Sequence, residues 1–243
     1  MVSKFKSVLQ DYKLLLNNVP TMITLLFVCG TLAMNLAAAK VIFNFGIVAG
    51  TGGILLSFLP FLCMDTISKH MGARASIMLN ILSSVFNIFV TVFLAIVAAI
   101  PTQDDYTAFN SVFGATWFIV VASNLAFITS GVVNSILNVA IGKLFGNKTS
   151  GIEFFTRSAV STFAGQVVDN FLFMWLLYSV FGPMYWGLSP MPIITCFGTG
   201  ILGGLLELVC ELIFTPLGYK IVKNWERNNI GHEYIEAHKD DRF

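Results

Sequence analysis

Charge is what this sequence has least of. In 243 residues there are 14 Lys and Arg and 13 Asp and Glu, so 11% of the chain is charged, where soluble domains carry about 25%. The formal net charge of +1 provides no basic field for nucleic acid and no acidic tail. Linkers rich in Gly, Ser or Pro are missing, as are short repeats and low-complexity tracts. The four cysteines (Cys29, Cys63, Cys196, Cys210) form no CxxC or Cys/His spacing, which argues against zinc. They read as small packed side chains. Catalytic signatures are lacking too: no HExxH, no Ser/His/Asp set, no glycine-rich phosphate loop before Lys-Ser or Lys-Thr. Its three histidines (His70, His232, His238) fall in polar segments. The sequence therefore points away from an enzyme, from ATP hydrolysis by this chain, and from any cofactor or metal.

What is abundant is apolar surface. Apolar residues make up 56% of the chain and aromatics 14%. A globular core cannot absorb that excess while leaving a solvated exterior. One all-α polytopic membrane domain is expected. Runs long enough to cross a bilayer as helices, about 20 residues each, occupy 21–39, 46–64, 76–100, 112–139, 158–181 and 193–219. Breaks separate them at 69–74, 101–106, 143–151 and 182–192, with a further one around Asn44 to Gly46. The domain division is then a cytoplasmic segment over 1–20, a six-helix transmembrane domain over 21–223 and a polar cytoplasmic tail over 224–243. That tail mixes both charges and reads as simply solvated.

Orientation follows the cations. With the N-terminus inside, 13 of the 14 Lys and Arg lie in cytoplasmic segments and only Lys40 lies outside. Such a bias places both termini in the cytoplasm. Ala37-Ala38-Ala39 resembles a small-residue cleavage site, but the preceding apolar run exceeds a usual signal-peptide core. It is read as a retained span.

Polar groups inside the spans stand out. An acid near the middle of a span costs about 2.5–3.5 kcal/mol. Asp169 lies inside the fifth run between Gln166 and Asn170, and Glu207 and Glu211 share one face of the sixth. Asp65 is expected near the cytoplasmic end of the second run, where the cost is lower. No Lys or Arg lies at comparable depth to Asp169, Glu207 or Glu211. Such acids take up a proton or await a cation or a donor-rich ligand. Asn124, Asn134 and Asn138 add a polar stripe to the fourth run. Gluing helices together is the simpler role for any one of these groups. Their number favours a polar cavity between the fourth, fifth and sixth helices. The aromatics Trp117, Trp175, Tyr178, Tyr185 and Trp186 fit interfacial belts better than a stacking platform. Ala33 and Ala37 form a small-xxx-small pair suited to close helix packing, within the chain or against a partner subunit.

Several local patterns are similar to one family. Phe61-Leu62-Cys63-Met64-Asp65 followed by Gly72, Ala126-Phe127 and Asn134-Ser135 resemble its second- and fourth-helix patterns. The run from Ser161-Thr162 through Gly165-Gln166 to Asp169-Asn170 resembles its S-T-x-x-G-Q-x-x-D-[ST] signature, and Glu211 before Thr215-Pro216-Leu217 its last-helix ending. By these motifs, over roughly residues 20–225, the chain resembles the queuosine precursor transporters, also called the vitamin uptake transporter family. The resemblance implies a bacterial inner-membrane protein importing 7-deazaguanine bases. A guanine-type edge offers adjacent N–H donors to a carboxylate and an O6 acceptor to an amide. Gln166, Asp169, Asn134 and Glu211 are the ligand-facing groups the resemblance implies, with Asn170, Glu207 and Asp65 beside them. Three departures matter. Ser130-Gly131 stand where members often carry Gly-Glu, Glu207 where Lys is frequent, and Lys69 where Glu is frequent. The added acid is expected to favour amine-bearing bases over the neutral nitrile. A different reading is an energy-coupling-factor-type substrate-capture subunit for another vitamin, docking on coupling subunits. Partners expected from sequence are thus a small-molecule nucleobase, the lipid bilayer, and either coupling subunits or a second copy in a homo-oligomer. No nucleic acid is expected among them.

Overall fold

The computed structural model describes residues 2–37, 41–44, 49–102, 105–113, 117–146, 150–187 and 189–239. Lys40, Lys148, Arg242 and the last two alanines of the cleavage-like triplet, which entered the reading above, lie outside the described residues.

Helix α1 (Val2–Asn18) leads through Pro20 into α2 (Thr21–Ala37), the pair being bent by 109°. Proline has no N–H to donate and its fixed φ suits the start of a helix, so a new helix begins after Pro20. Two short antiparallel strands follow, β1 (Val41–Asn44) and β2 (Ala49–Thr51). Then come α3 (Ile54–Met71) and α4 (Ala73–Ala98), joined through Gly72 alone. Gly72 sits at φ 95°, a conformation that side chains other than glycine rarely adopt. A short α5 (Thr107–Phe113) precedes α6 (Trp117–Leu144). Helix α7 (Gly151–Trp175) is capped by Ser150, whose hydroxyl accepts from the Glu153 amide. It continues through a π-helical stretch, Leu176–Phe181, into α8 (Gly182–Trp186). Last are α9 (Ile193–Arg227) and the short α10 (His232–Ala237).

Polarity is distributed opposite to a water-soluble core. On α4, Phe89 is 66% exposed while Asn80 is fully buried, together with Ser76, Ser83 and Ser84. The same holds for α9, where Val209 and Ile213 face outward and Glu207 and Glu211 inward. Apolar residues outside and amides, hydroxyls and carboxyls inside are what hydrocarbon solvent selects. Helices α4, α6, α7 with its continuation, and α9 are long and apolar enough to cross a membrane. The α1–α2 pair makes a fifth if counted as one bent span. The chain is thus a multi-pass membrane protein.

Two expectations need correction. The second apolar run was placed at 46–64, but its helix spans Ile54–Met71. Gly50, Gly52 and Gly53 are poor helix formers, and a strand and turn occupy residues 49–53, so the helix starts later and runs on past Asp65. Asp65 is therefore not near the helix end but fully buried, twelve residues into α3. Nor is the C-terminal segment merely solvated. Tyr234 on α10 is fully buried in a cluster with Leu15, Met71, Leu79 and Trp225. Asn18 on α1 also reaches Glu233 at 3.4 Å. Alternating charges had disguised one apolar stripe.

Candidate functional site

Polar side chains fill the space between α3, α6, α7 and α9 in three successive layers. The order along α7 is Asp169, Asn170 and Gln166, then Thr162, Ser161 and Ser158, then Arg157 and Glu153. On α9, Glu207 matches the first layer and Glu211 the second; on α3, Ser57, Asp65 and Lys69 match the three in turn. Recurrence at three and four residues keeps each set on one helix face.

The first layer surrounds a cavity of about 90 Å³ lined by Gln166, Asp169, Asn170 and Glu207 with Phe61, Phe127 and Phe173. It lies toward the strand end, since Asn35 and Gly53 also border it. Ser130 donates to Asp169 Oδ1 at 2.9 Å. Asn170 donates to Glu207 Oε2 at 3.1 Å, and Ser57 also hydrogen-bonds Glu207. Gln166 is 1% exposed, and its Nε2 meets no acceptor among the described residues. A buried amide left unmatched costs about 1–3 kcal/mol. Here that unmatched donor belongs to a side chain lining the cavity. Close approach of α9 makes the arrangement possible. A Cβ on Gly203 would come within 3.0 Å of Asn170, and one on Gly204 within 3.0 Å of Val167.

The second layer holds Asp65, Asn134 and Glu211. Asn134 Nδ2 donates to Asp65 Oδ1 at 2.9 Å, and Ser161 reaches the same oxygen at 3.3 Å. Thr162 lies 2.8 Å from Glu211 Oε1 and 3.2 Å from Asp65 Oδ2. Ser158 likewise contacts both carboxyls, Glu211 Oε1 at 2.9 Å.

The third layer is a buried ion cluster. Glu153 Oε1 is 2.7 Å from Lys69 Nζ and 2.8 Å from Arg157 Nη1. Arg157 also donates from Nη2 and Nε to Asn138 Oδ1, at 2.8 and 3.2 Å.

Of the seven residues expected from sequence, four (Gln166, Asp169, Asn170, Glu207) line one cavity. The other three (Asp65, Asn134, Glu211) sit together one turn away. Ser57 and Ser158 were not singled out, and Ser130 and Thr162 were named only within the family patterns, although Ser158, Ser161, Thr162, Gly165, Gln166 and Asp169 follow helical spacing and could have been found by it. The cavity's aromatic walls are phenylalanines. Trp175 and Tyr178 are not among its lining residues. The side chains of Trp117, Tyr185 and Trp186 lie outside what is described.

Residues 51–221 match the sequence model of a family described as "Putative vitamin uptake transporter". That match covers α3 through most of α9, and so all three polar layers. No curated protein and no solved structure shows a significant match to the chain.

Proposed function

Because the chain belongs to the vitamin uptake transporter family, we propose that it imports queuosine precursors, 7-deazaguanine bases, across the bacterial inner membrane. In this reading α2, α3, α4, α6, α7 with its continuation, and α9 are six spans, and both termini are cytoplasmic. The clustering of Lys69, Arg74, Arg157 and Lys220 toward one end supports that orientation. The strand end then faces outward, and the cavity lies nearer to it.

One observation carries the ligand assignment: a buried donor without an acceptor, Gln166 Nε2, and two carboxylates, Asp169 and Glu207, border the same phenylalanine-walled space. A guanine-type edge supplies the complement, N–H donors for a carboxylate and O6 for the amide. Phe61, Phe127 and Phe173 offer flat apolar walls to a heterocycle. Two acids in one cavity favour a ligand carrying an amine. The cavity's 90 Å³ falls short of the about 300–1,000 Å³ of most ligand sites. Entry of a bicyclic base therefore requires the helices to part, as alternating access demands.

The test is a thermal-shift screen of the purified full chain against deazapurines, flavins, biotin and thiamine. Stabilisation by deazapurines alone is the expected outcome. Stabilisation by one of the other vitamins, with none from deazapurines, would replace this reading with a capture subunit for that vitamin.

A further inference from the structure

The second polar layer has fewer hydrogens than its contacts need. Ser158 and Thr162 each touch both Asp65 Oδ2 and Glu211 Oε1, which makes four contacts between oxygens. A hydroxyl owns one hydrogen, so the two hydroxyls can satisfy two of the four. Two acceptors in the same layer, Glu211 Oε2 and Asn134 Oδ1, are buried and meet no donor among the described residues. Every shortfall in this layer is of the same kind, a missing hydrogen.

Cations do not make up the deficit. Lys69 and Arg157 both lie on Glu153 Oε1, and Arg157 is further occupied by Asn138. From α6 the pair meets Asn134, and from α7 it meets Ser158, Ser161 and Thr162, none of them charged. Asp169 and Glu207 belong to the cavity layer, Glu207 one helical turn from Glu211.

We propose that Asp65 and Glu211 form a proton-binding pair, separate from the ligand cavity, that carries one proton inward with each imported ligand. This rests on the transport reading above and adds its energy source. The step balances simply. A proton from the outer side joins the two carboxylates and leaves a pair of charge −1. On the inner side the same proton passes to water and restores charge −2. Coupling follows from position. Asp65 belongs to α3 and Glu211 to α9, so the protonated pair ties these helices together while two bare carboxylates repel. Asp65 also reaches the ion cluster through Ser161 and Asn138. Loss of the proton thus loosens the basic end, while Glu207 on the same α9 senses the ligand.

Two measurements on the full chain test the pair. Infrared difference spectra of protein in nanodiscs, with no ligand present, should show a protonated carboxyl band near neutral pH. That band should vanish in E211Q or D65N and persist in E207Q. Identical spectra for wild type, E211Q and D65N would overturn the proposal. In proteoliposomes holding this chain alone, with the membrane potential clamped, labelled 7-aminomethyl-7-deazaguanine should accumulate about tenfold for an acid-outside gradient of about one pH unit. A protonophore should abolish that ratio, and in E211Q or D65N it should fall to one. A gradient-driven ratio retained in both variants would contradict the pair. If the wild type takes up no base, the ligand assignment fails, while the infrared result still decides the proton pair.

Discussion

Asn170 on α7 holds Glu207 on α9 through a 3.1 Å hydrogen bond from Nδ2 to Oε2. A glycine opposite leaves that amide its room, because a Cβ on Gly203 would lie 3.0 Å from the Asn170 amide. Gly203→Ala should push that amide aside, release Glu207 and lower stability by about 1–3 kcal/mol. Gly198→Ala on the same helix is the control, since a Cβ there meets nothing within 4 Å. It should be neutral or stabilise by about 0.4–1 kcal/mol. Unfolding midpoints of the two variants in one detergent make the comparison.

Gln166 should separate function from stability. Its buried Nε2 has no acceptor, so Gln166→Leu removes an unmet donor and should hold or raise the unfolding midpoint. The same variant should weaken base binding by about tenfold or more, one hydrogen bond's worth. A midpoint that drops while binding is unaffected would assign Gln166 to packing alone.

The ion cluster gives an asymmetric expectation. Glu153 Oε1 serves both Lys69 and Arg157, so Glu153→Gln removes the carboxylate that two buried cations share. Breaking a buried pair from one side costs about 3–5 kcal/mol. Lys69→Met leaves the Glu153–Arg157 pair intact and should cost less. Thermal unfolding should rank the variants in that order.

Outside the spans, burial pushes the Tyr234 hydroxyl up to about 12. An unfolded chain loses this proton near 10. Between those values the unfolded state binds fewer protons than the folded one, so stability falls as pH rises. The contribution is complete below about pH 10 and gone above about 12. Tyr234 Oη contacts only the Met78 sulfur, at 3.9 Å, among its described side-chain partners. Tyr234→Phe should thus behave like wild type at neutral pH and resist unfolding better between pH 10 and 12. Alkaline unfolding curves of the two proteins test this.

The cavity acids were legible because Asp169 and Glu207 interrupt runs that are otherwise apolar, and such an interruption is costly in lipid. Helical spacing set Asp169 beside Gln166 and Asn170 and put Glu207 on one face with Glu211, while the meeting of Asp169 and Glu207 depends on how α7 and α9 pack. Asp65 was misjudged for a different reason. Residues 46–53 are apolar enough to extend a span, and only the glycines among them indicate a turn, so the helix was placed too far toward the strand end and its acid too near the helix C-terminus. Lys69 and Arg157 counted only as cytoplasmic cations because each lies near a helix end, and Glu153 drew no notice. Their mutual burial depends on how α3, α6 and α7 meet, which no local pattern encodes. Tyr234 was hidden likewise, its contacts with α1 and α3 lying far away in sequence.

Calorimetric titration of wild type and Asp169→Asn with the aminomethyl and nitrile deazaguanines bears most directly on the cavity as a ligand site. Saturable binding to wild type, tighter for the amine, and a loss of about ten- to a hundredfold in folded Asp169→Asn are expected. Equal affinity in the variant, or no binding of either base to wild type, would contradict it.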